Sequence, residues 1–326
     1  MNRYTKTITS LLLLLIIIIS GCGSSTELHM YSSDASSVSD VASVIGNSTI
    51  YKATPYNEKV CVIPKESVGT TEDDKIVAQG VLHVDITDNK MIFAKGIYDK
   101  LYPASLTKLA TALVCFKYGN MNDNVTVSYN ASHLGVPGAK LCFLQEGDVI
   151  KFDVLLTSFL VYSGNDAGVA LAEHIAGSEK AFADIMNKEL SKLGAVTTNY
   201  VNSHGLPDDN HYTSVYDVYL VLNELAKYEQ FLEITSLPSY TAVFKDSAGR
   251  EVKKLYENTD KYLTGEEKLP KGVTLLAGKT GTTTAAGNCL AVLSEKKNSH
   301  KYITIVMKAY SYDSLYSQMS YLLKKK

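Results

Sequence analysis

An α+β fold, with one antiparallel sheet completed by both ends of the chain, is predicted by three observations. Structured sequence begins near Val77 with a β-hairpin pattern in VLHVDITDNKMIFAKG, a series of amphipathic helical segments follows it, and strands return after Lys271 before a last helical pattern at the C-terminus. The 326 residues are 45% hydrophobic, enough for one large domain or two small ones, and the net charge of -2 argues against a nucleic-acid partner.

The chain opens as an export signal does. Arg3 and Lys6 precede an unbroken apolar run from Leu11 to Ile19, followed by Ser20, Gly21 and Cys22. That run is shorter than the roughly 20 residues needed to cross a bilayer as a helix. Residues 1–21 are therefore expected to be a signal peptide. From Gly23 to about Ser48 serine and aspartate dominate and aromatics are few, which predicts a tether rather than a packed segment. Residues 22–75 are assigned to this tether and 76–326 to a catalytic domain. Cys61, Cys115, Cys142 and Cys289 show no disulfide framework and no CxxC metal spacing; Cys115 and Cys142 sit in apolar stretches that suit small buried side chains.

In the hairpin, Leu82, Val84 and Ile86 alternate with polar neighbours ahead of the turn-prone pair Asp88 and Asn89. Helices are predicted over Asp153 to Tyr162 and Asp166 to Gly177, with a break at Ser163, Gly164 and Asn165. Another helix runs from Ser178 to Gly194, and Ser214 with Asp217 forms a pattern close to a capping box before the next. The segments VTLLAGKTG, NCLAVLSEK and KYITIVMKAY read as strands, and Leu315, Met319, Leu322 and Leu323 give the final segment helical spacing. This short helix is expected to pack on the sheet.

Three short motifs carry the candidate chemistry. In YPASLTK, Ser105 and Lys108 lie three apart at the head of a helix, so the amine can reach the hydroxyl; a lysine serves as base to a serine when burial and neighbouring cations lower its pKa. Ser163 and Asn165 occupy the interhelical break, where a hydroxyl can relay protons and an amide can orient a carbonyl. Lys279, Thr280 and Gly281 end an apolar strand whose backbone can pair with an extended peptide, with glycine permitting close approach. Each alone has a plain structural explanation. Ser294 and Lys297 repeat the first spacing, and Ser128 and Asn130 the second, in contexts without helical or cleft character.

Taken together and in this order, the motifs resemble those of the serine D-alanyl-D-alanine carboxypeptidases, low-molecular-mass penicillin-binding proteins of the SxxK acyltransferase group. The stretches SGNDAGVALAEHIAGSEKAF, VNSHGLPDDNHYTSVYDV and AGKTGTTTAAGNCL also read like that family, and the resemblance covers roughly residues 75–315. It implies a β-lactamase and penicillin-binding transpeptidase-like fold. It also implies that Ser105 is the acylated nucleophile, Lys108 its general base, and Ser163 the hydroxyl passing a proton to the departing D-alanine. Asn165 would hold a substrate amide, and Lys279 and Thr280, with Gly281 beside them, would meet the terminal carboxylate. The backbone N-H groups of Ser105 and Thr282 would form the oxyanion hole. The implied substrate is the peptidoglycan pentapeptide, with β-lactam antibiotics as inhibitors and no cofactor.

Ile19, Ser20, Gly21 and Cys22 resemble a bacterial lipobox, which implies a diacylglycerol on Cys22 and a place on the extracytoplasmic face of the bacterial cell membrane. Many relatives carry a further β-rich domain and a C-terminal amphipathic anchor, whereas this sequence stops at Lys326; the lipid on Cys22 would then serve as the anchor. His204 and His211, with Asp208 and Asp209 between them, raise a metal site, but the turn-forming stretch lacks a helical ligand pair and no metal is expected. His174 is expected to be a packed or surface histidine. Three alternatives accompany the carboxypeptidase reading: a β-lactam-sensing or binding lipoprotein that acylates without turnover, a DD-endopeptidase using the same residues, and a β-lactamase. The last is disfavoured because no ExxLN sequence is present.

Overall fold

The computed structural model describes residues 73–297 and 299–325. The expected signal peptide, Cys22, Cys61 and nearly all of the expected tether lie outside those residues.

A five-stranded antiparallel sheet organises the domain, in the order β2-β1-β9-β8-β7, formed by β1 (Gly80–Asp85), β2 (Lys90–Lys95), β7 (Val273–Thr283), β8 (Gly287–Lys296) and β9 (Lys301–Ala309). The first and last strands in sequence meet at its centre, where Gly80 to Asp85 pair with Met307 to Tyr302. Both chain ends thus complete one sheet, as the order of patterns predicts. The sheet is covered on both faces, and the period of two decides which side chain goes where. Leu82, Val84, Ala291, Leu293, Ile303 and Ile305 face the main helical core, while Val81, Leu290, Val292 and Val306 join Leu315, Met319, Leu322 and Leu323 of the C-terminal helix. Burial on both faces is why these strands read as nearly continuous apolar runs.

Between the halves of the sheet come α1 (Thr107–Tyr118), α2 (Tyr129–Ser132), α3 (Phe152–Tyr162), α4 (Asn165–Ala176), α5 (Glu179–Lys192), α6 (Val215–Leu225) and α7 (Glu229–Thr235). The short α8 (Lys261–Thr264) precedes β7, and α9 (Tyr312–Lys324) closes the described chain. Ser178 caps α5 by accepting from the Ala181 N-H, and Gly194 follows that helix at φ 82°. Ser214 accepts from the Asp217 N-H, but the reciprocal half of a capping box is missing. The Asp217 carboxylate instead takes the Thr197 N-H and the hydroxyls of Thr197 and Thr198, pinning the preceding loop.

Two features differ from the sequence reading. A second sheet, β3 (Asn124–Thr126), β4 (Val149–Lys151), β5 (Ser239–Lys245) and β6 (Glu251–Glu257), stands where no strands are predicted. Two of its strands are three residues long, and the β5–β6 hairpin buries only Ala242, Phe244 and Tyr256, so it carries little apolar signal. In addition, β7 continues to Thr283, which places Lys279 to Gly281 inside a strand rather than at its end.

The N-terminal edge of the described chain docks on α9. Gln318 Oε1 accepts from the N-H groups of Val77 and Ala78, and Asp73 accepts from the Tyr321 hydroxyl and the Lys325 ammonium. Cys115, Cys142 and Cys289 are free and buried, as apolar side chains would be.

Candidate active site

Ser105 lies in a 3-10 turn, Ala104 to Leu106, that runs directly into α1. Two glycines let other backbone segments close on this turn. A Cβ at Gly281 would stand 2.9 Å from the Ser105 nitrogen and 3.0 Å from the Pro103 oxygen, and one at Gly205 only 1.8 Å from the Ala104 oxygen. Gly205 also has φ 91°, and Ala104 itself sits at φ 47°, so the turn bearing Ser105 is held in a strained backbone conformation. Gly205→Ala is expected to cost about 3 kcal/mol, roughly 6–12 °C in melting temperature. Thermal unfolding by circular dichroism checks this; an unchanged melting temperature would show that the turn can move away.

One helical turn on, Lys108 is wholly buried while Ser105 is half-buried. Its Nζ donates to Ser105 Oγ at 3.0 Å, to Asn165 Oδ1 at 2.7 Å and to the His204 carbonyl at 2.7 Å. Burial, and then the positive charge of Lys279, push its pKa well below the usual lysine range. A lysine so placed is available as a neutral amine.

Ser163 caps α3 in the left-handed conformation, φ 70° and ψ 29°, where glycine is the ordinary occupant. Its hydroxyl is buried and has no hydrogen-bond partner. A serine at a position that favours glycine, with a buried hydroxyl that no protein group satisfies, costs stability. Asp166 fixes the loop above this break: its carboxylate accepts the N-H groups of Cys142, Leu144 and Ala167.

Lys279 and Thr280 come from the edge strand β7. Lys279 is fully buried, its ammonium donates to the Thr280 carbonyl at 3.2 Å, and burial followed by the charge of Lys140 lowers its pKa to about 7. The Thr280 hydroxyl bonds that of Thr259 at 2.5 Å, and Thr282 Oγ1 meets the Tyr312 hydroxyl at 3.0 Å. A cleft of 640 Å3 opens beside these groups, lined by Ser105, Lys140, Asn165, Gly205 and Thr282 among others.

The fold gathers Ser105, Lys108, Asn165 and Thr282 around this cleft, with Lys279 near enough to act on Lys108. The repeated motifs go elsewhere: Ser294 is buried in β8, and Ser128 caps α2 and donates to Glu173. His204 and His211 are supports. His211 Nδ1 accepts the Val201 N-H, so Nε2 carries the proton toward Thr107 Oγ1 at 2.8 Å, and Thr107 donates on to the Ala104 carbonyl. His204 Nδ1 likewise accepts the Leu206 N-H, leaving Nε2 to face Glu179 at 3.1 Å. His174, on α4, meets Asp123 at 3.1 Å and packs near Phe152. Among the described residues, one triad is spaced for a metal ion, Asp85, Asp88 and His300, at the opposite end of the sheet from the cleft; there His300 already pairs with Asp85 at 2.7 Å. Sequence reasoning missed Lys140, Asp166, Glu179 and Gly205. Only Gly205, between His204 and Leu206 in a turn-forming stretch, carried a local signal.

A family model described as D-alanyl-D-alanine carboxypeptidase (Peptidase S11) matches residues 67–311, and the chain belongs to that family. It is 34% identical over 240 residues to the D-alanyl-D-alanine carboxypeptidase DacF of Bacillus subtilis (strain 168), covering 71% of this chain and 57% of the relative. The chain thus spans under three fifths of the length of curated relatives such as DacF and the Haemophilus influenzae DacA. Among solved structures, penicillin binding protein 5 from Haemophilus influenzae superimposes with a TM-score of 0.69 at 28% identity, over 78% of this chain and 72% of that one. The Streptomyces K15 DD-transpeptidase does so with a TM-score of 0.71 at 22% identity, over 78% and 98%, a likeness that bears on the fold alone.

Proposed function

We propose that this protein is a serine D-alanyl-D-alanine carboxypeptidase that removes the terminal D-alanine of peptidoglycan pentapeptides through an acyl-enzyme on Ser105. The observation that carries the reading is the wholly buried Lys108 amine, its Nζ 3.0 Å from Ser105 Oγ and its pKa pulled down by burial and Lys279. As the neutral amine, Lys108 takes the Ser105 proton while Oγ attacks the carbonyl of the penultimate residue. The backbone N-H groups of Ser105 and Thr282 receive the developing oxyanion. The carbon-nitrogen bond then breaks, and the proton reaches the departing D-alanine amine through Ser163. Water next attacks the ester, returns a proton to Ser105 and frees the shortened peptide.

Asn165 holds a substrate amide, and Lys279 and Thr280 meet the terminal carboxylate, with Gly281 keeping that wall close to the nucleophile. A penicillin enters the same way and leaves its opened ring on Ser105. We place the protein on the extracytoplasmic face of the bacterial cell membrane, held by a lipid on Cys22; among the described residues no helix is long and apolar enough to cross a membrane.

The test uses the full-length protein in detergent and measures free D-alanine released from a pentapeptide ending in D-alanyl-D-alanine. Release is expected from the wild type and is expected to vanish in Ser105→Ala. A folded wild type that releases none would sink the carboxypeptidase reading.

A further inference from the structure

Resting on the carboxypeptidase reading, a second cation in the cleft bears on which peptide is cleaved. Lys140 lies on a loop after Gly138 and Ala139, and its backbone is fixed to the catalytic wall because its carbonyl accepts the Asn165 N-H at 2.7 Å. Its side chain is exposed as a whole and lines the cleft with Ser105 and Asn165. The ammonium rests 4.2 Å from the centre of the Tyr162 ring, which itself packs on Tyr256 at 5.0 Å, so the charge has a fixed seat rather than a free tether.

No carboxylate pairs with Lys140 among the described residues. Glu257 attracts it only from beyond ion-pair distance; at the catalytic wall it acts on Lys279 and Lys108, both of its own sign, and it is the strongest charge depressing Lys279. An anion entering between them would relieve this repulsion. On the carboxypeptidase reading the C-terminal carboxylate of the substrate is matched by Lys279, which leaves Lys140 without a counter-charge within ion-pair distance at the cleft. On the same reading Asn165 holds a substrate amide, and Lys140, bonded to its N-H and lining the same cleft, stands on the wall that carries the rest of the peptide.

We propose that Lys140 forms a subsite for a carboxylate on the side chain of the residue preceding the D-alanyl-D-alanine pair, selecting stem peptides with a diamino dicarboxylic acid there over those with an uncharged or cationic side chain. Because the contact forms at an open cleft, it is sensitive to salt.

Three synthetic pentapeptides test this, alike except at that residue: a free side-chain carboxylate, the same group as a carboxamide, and a side chain without it. With the full-length wild type, kcat/KM for D-alanine release is expected to be about five- to tenfold higher for the free carboxylate than for the carboxamide. The ratio should shrink toward one in Lys140→Gln, invert in Lys140→Glu, return in Lys140→Arg, and fall in the wild type as salt is raised. Equal kcat/KM for all three peptides with wild type, or a ratio unchanged by Lys140→Gln, overturns the subsite and leaves the carboxypeptidase reading standing. Release from none of them overturns both. The wild-type comparison decides even if a variant fails to fold.

Discussion

Lys108→Met is expected to lower kcat/KM for D-alanine release by roughly 10²–10⁴-fold, the usual contribution of a positioned general base, and to slow acylation by penicillin to a similar degree. The side chain that would replace it fills a similar volume but has no basic nitrogen, and its thioether sulfur cannot take the Ser105 proton. Lys108→Arg is expected to lose as much, because a guanidinium stays protonated and cannot act as a base. The folded state should survive the methionine change. Lys108 is buried without a carboxylate partner, held by Ser105, Asn165 and the His204 carbonyl, and an apolar side chain of like size in its place loses those hydrogen bonds but no longer has a polar amine to desolvate. Thermal unfolding and single-turnover acylation together check this. Activity within tenfold of wild type in folded Lys108→Met would move the base to another group.

The same three hydrogen bonds show what a sequence can and cannot disclose. Ser105 and Lys108 are legible because a helix turns spacing into proximity, and the apolar residues after them announce the helix. Asn165 is legible because the break between α3 and α4 interrupts two strong apolar periods. The rest of the site depends on contacts with no local trace. Asp166 reads as an ordinary acid in a first helical turn, yet it accepts N-H groups from Cys142 and Leu144, more than 20 residues upstream. Lys140 reads as a loop lysine, and only the fold seats it on Tyr162 at the cleft. The central sheet was readable for a similar reason: strands buried on both faces leave apolar runs, whereas β5 and β6, open on one side and rich in lysine and glutamate, leave none. What sequence gives least is the electrostatic state of a lysine, since desolvation depends on everything packed around it.

Lys279 makes that point measurable. Its pKa falls from the usual 10.5 to about 7 in the folded protein because of burial first and the Lys140 charge second, with Asp260 acting the other way. The unfolded chain therefore binds a proton between pH 7 and 10.5 that the folded chain does not, and stability rises with pH across that window. The contribution is fully present above about pH 10.5 and is lost as the pH falls through about 7, where the cost amounts to about 4 kcal/mol. Lys279→Met is expected to flatten this part of the pH profile and to raise the melting temperature at pH 7 by several degrees. The same substitution should weaken D-alanine release, since it deletes the cation assigned to the terminal carboxylate and a charge that depresses Lys108. The loss should appear in KM as well as kcat, and the acid limb of the kcat/KM profile should move to higher pH as Lys108 regains affinity for its proton. Denaturant unfolding of wild type and variant at pH 7, 8.5 and 10 reads the stability effect directly. If wild type shows no rise over that range, Lys279 is solvated or paired in the folded protein and cannot be the buried cation that tunes Lys108.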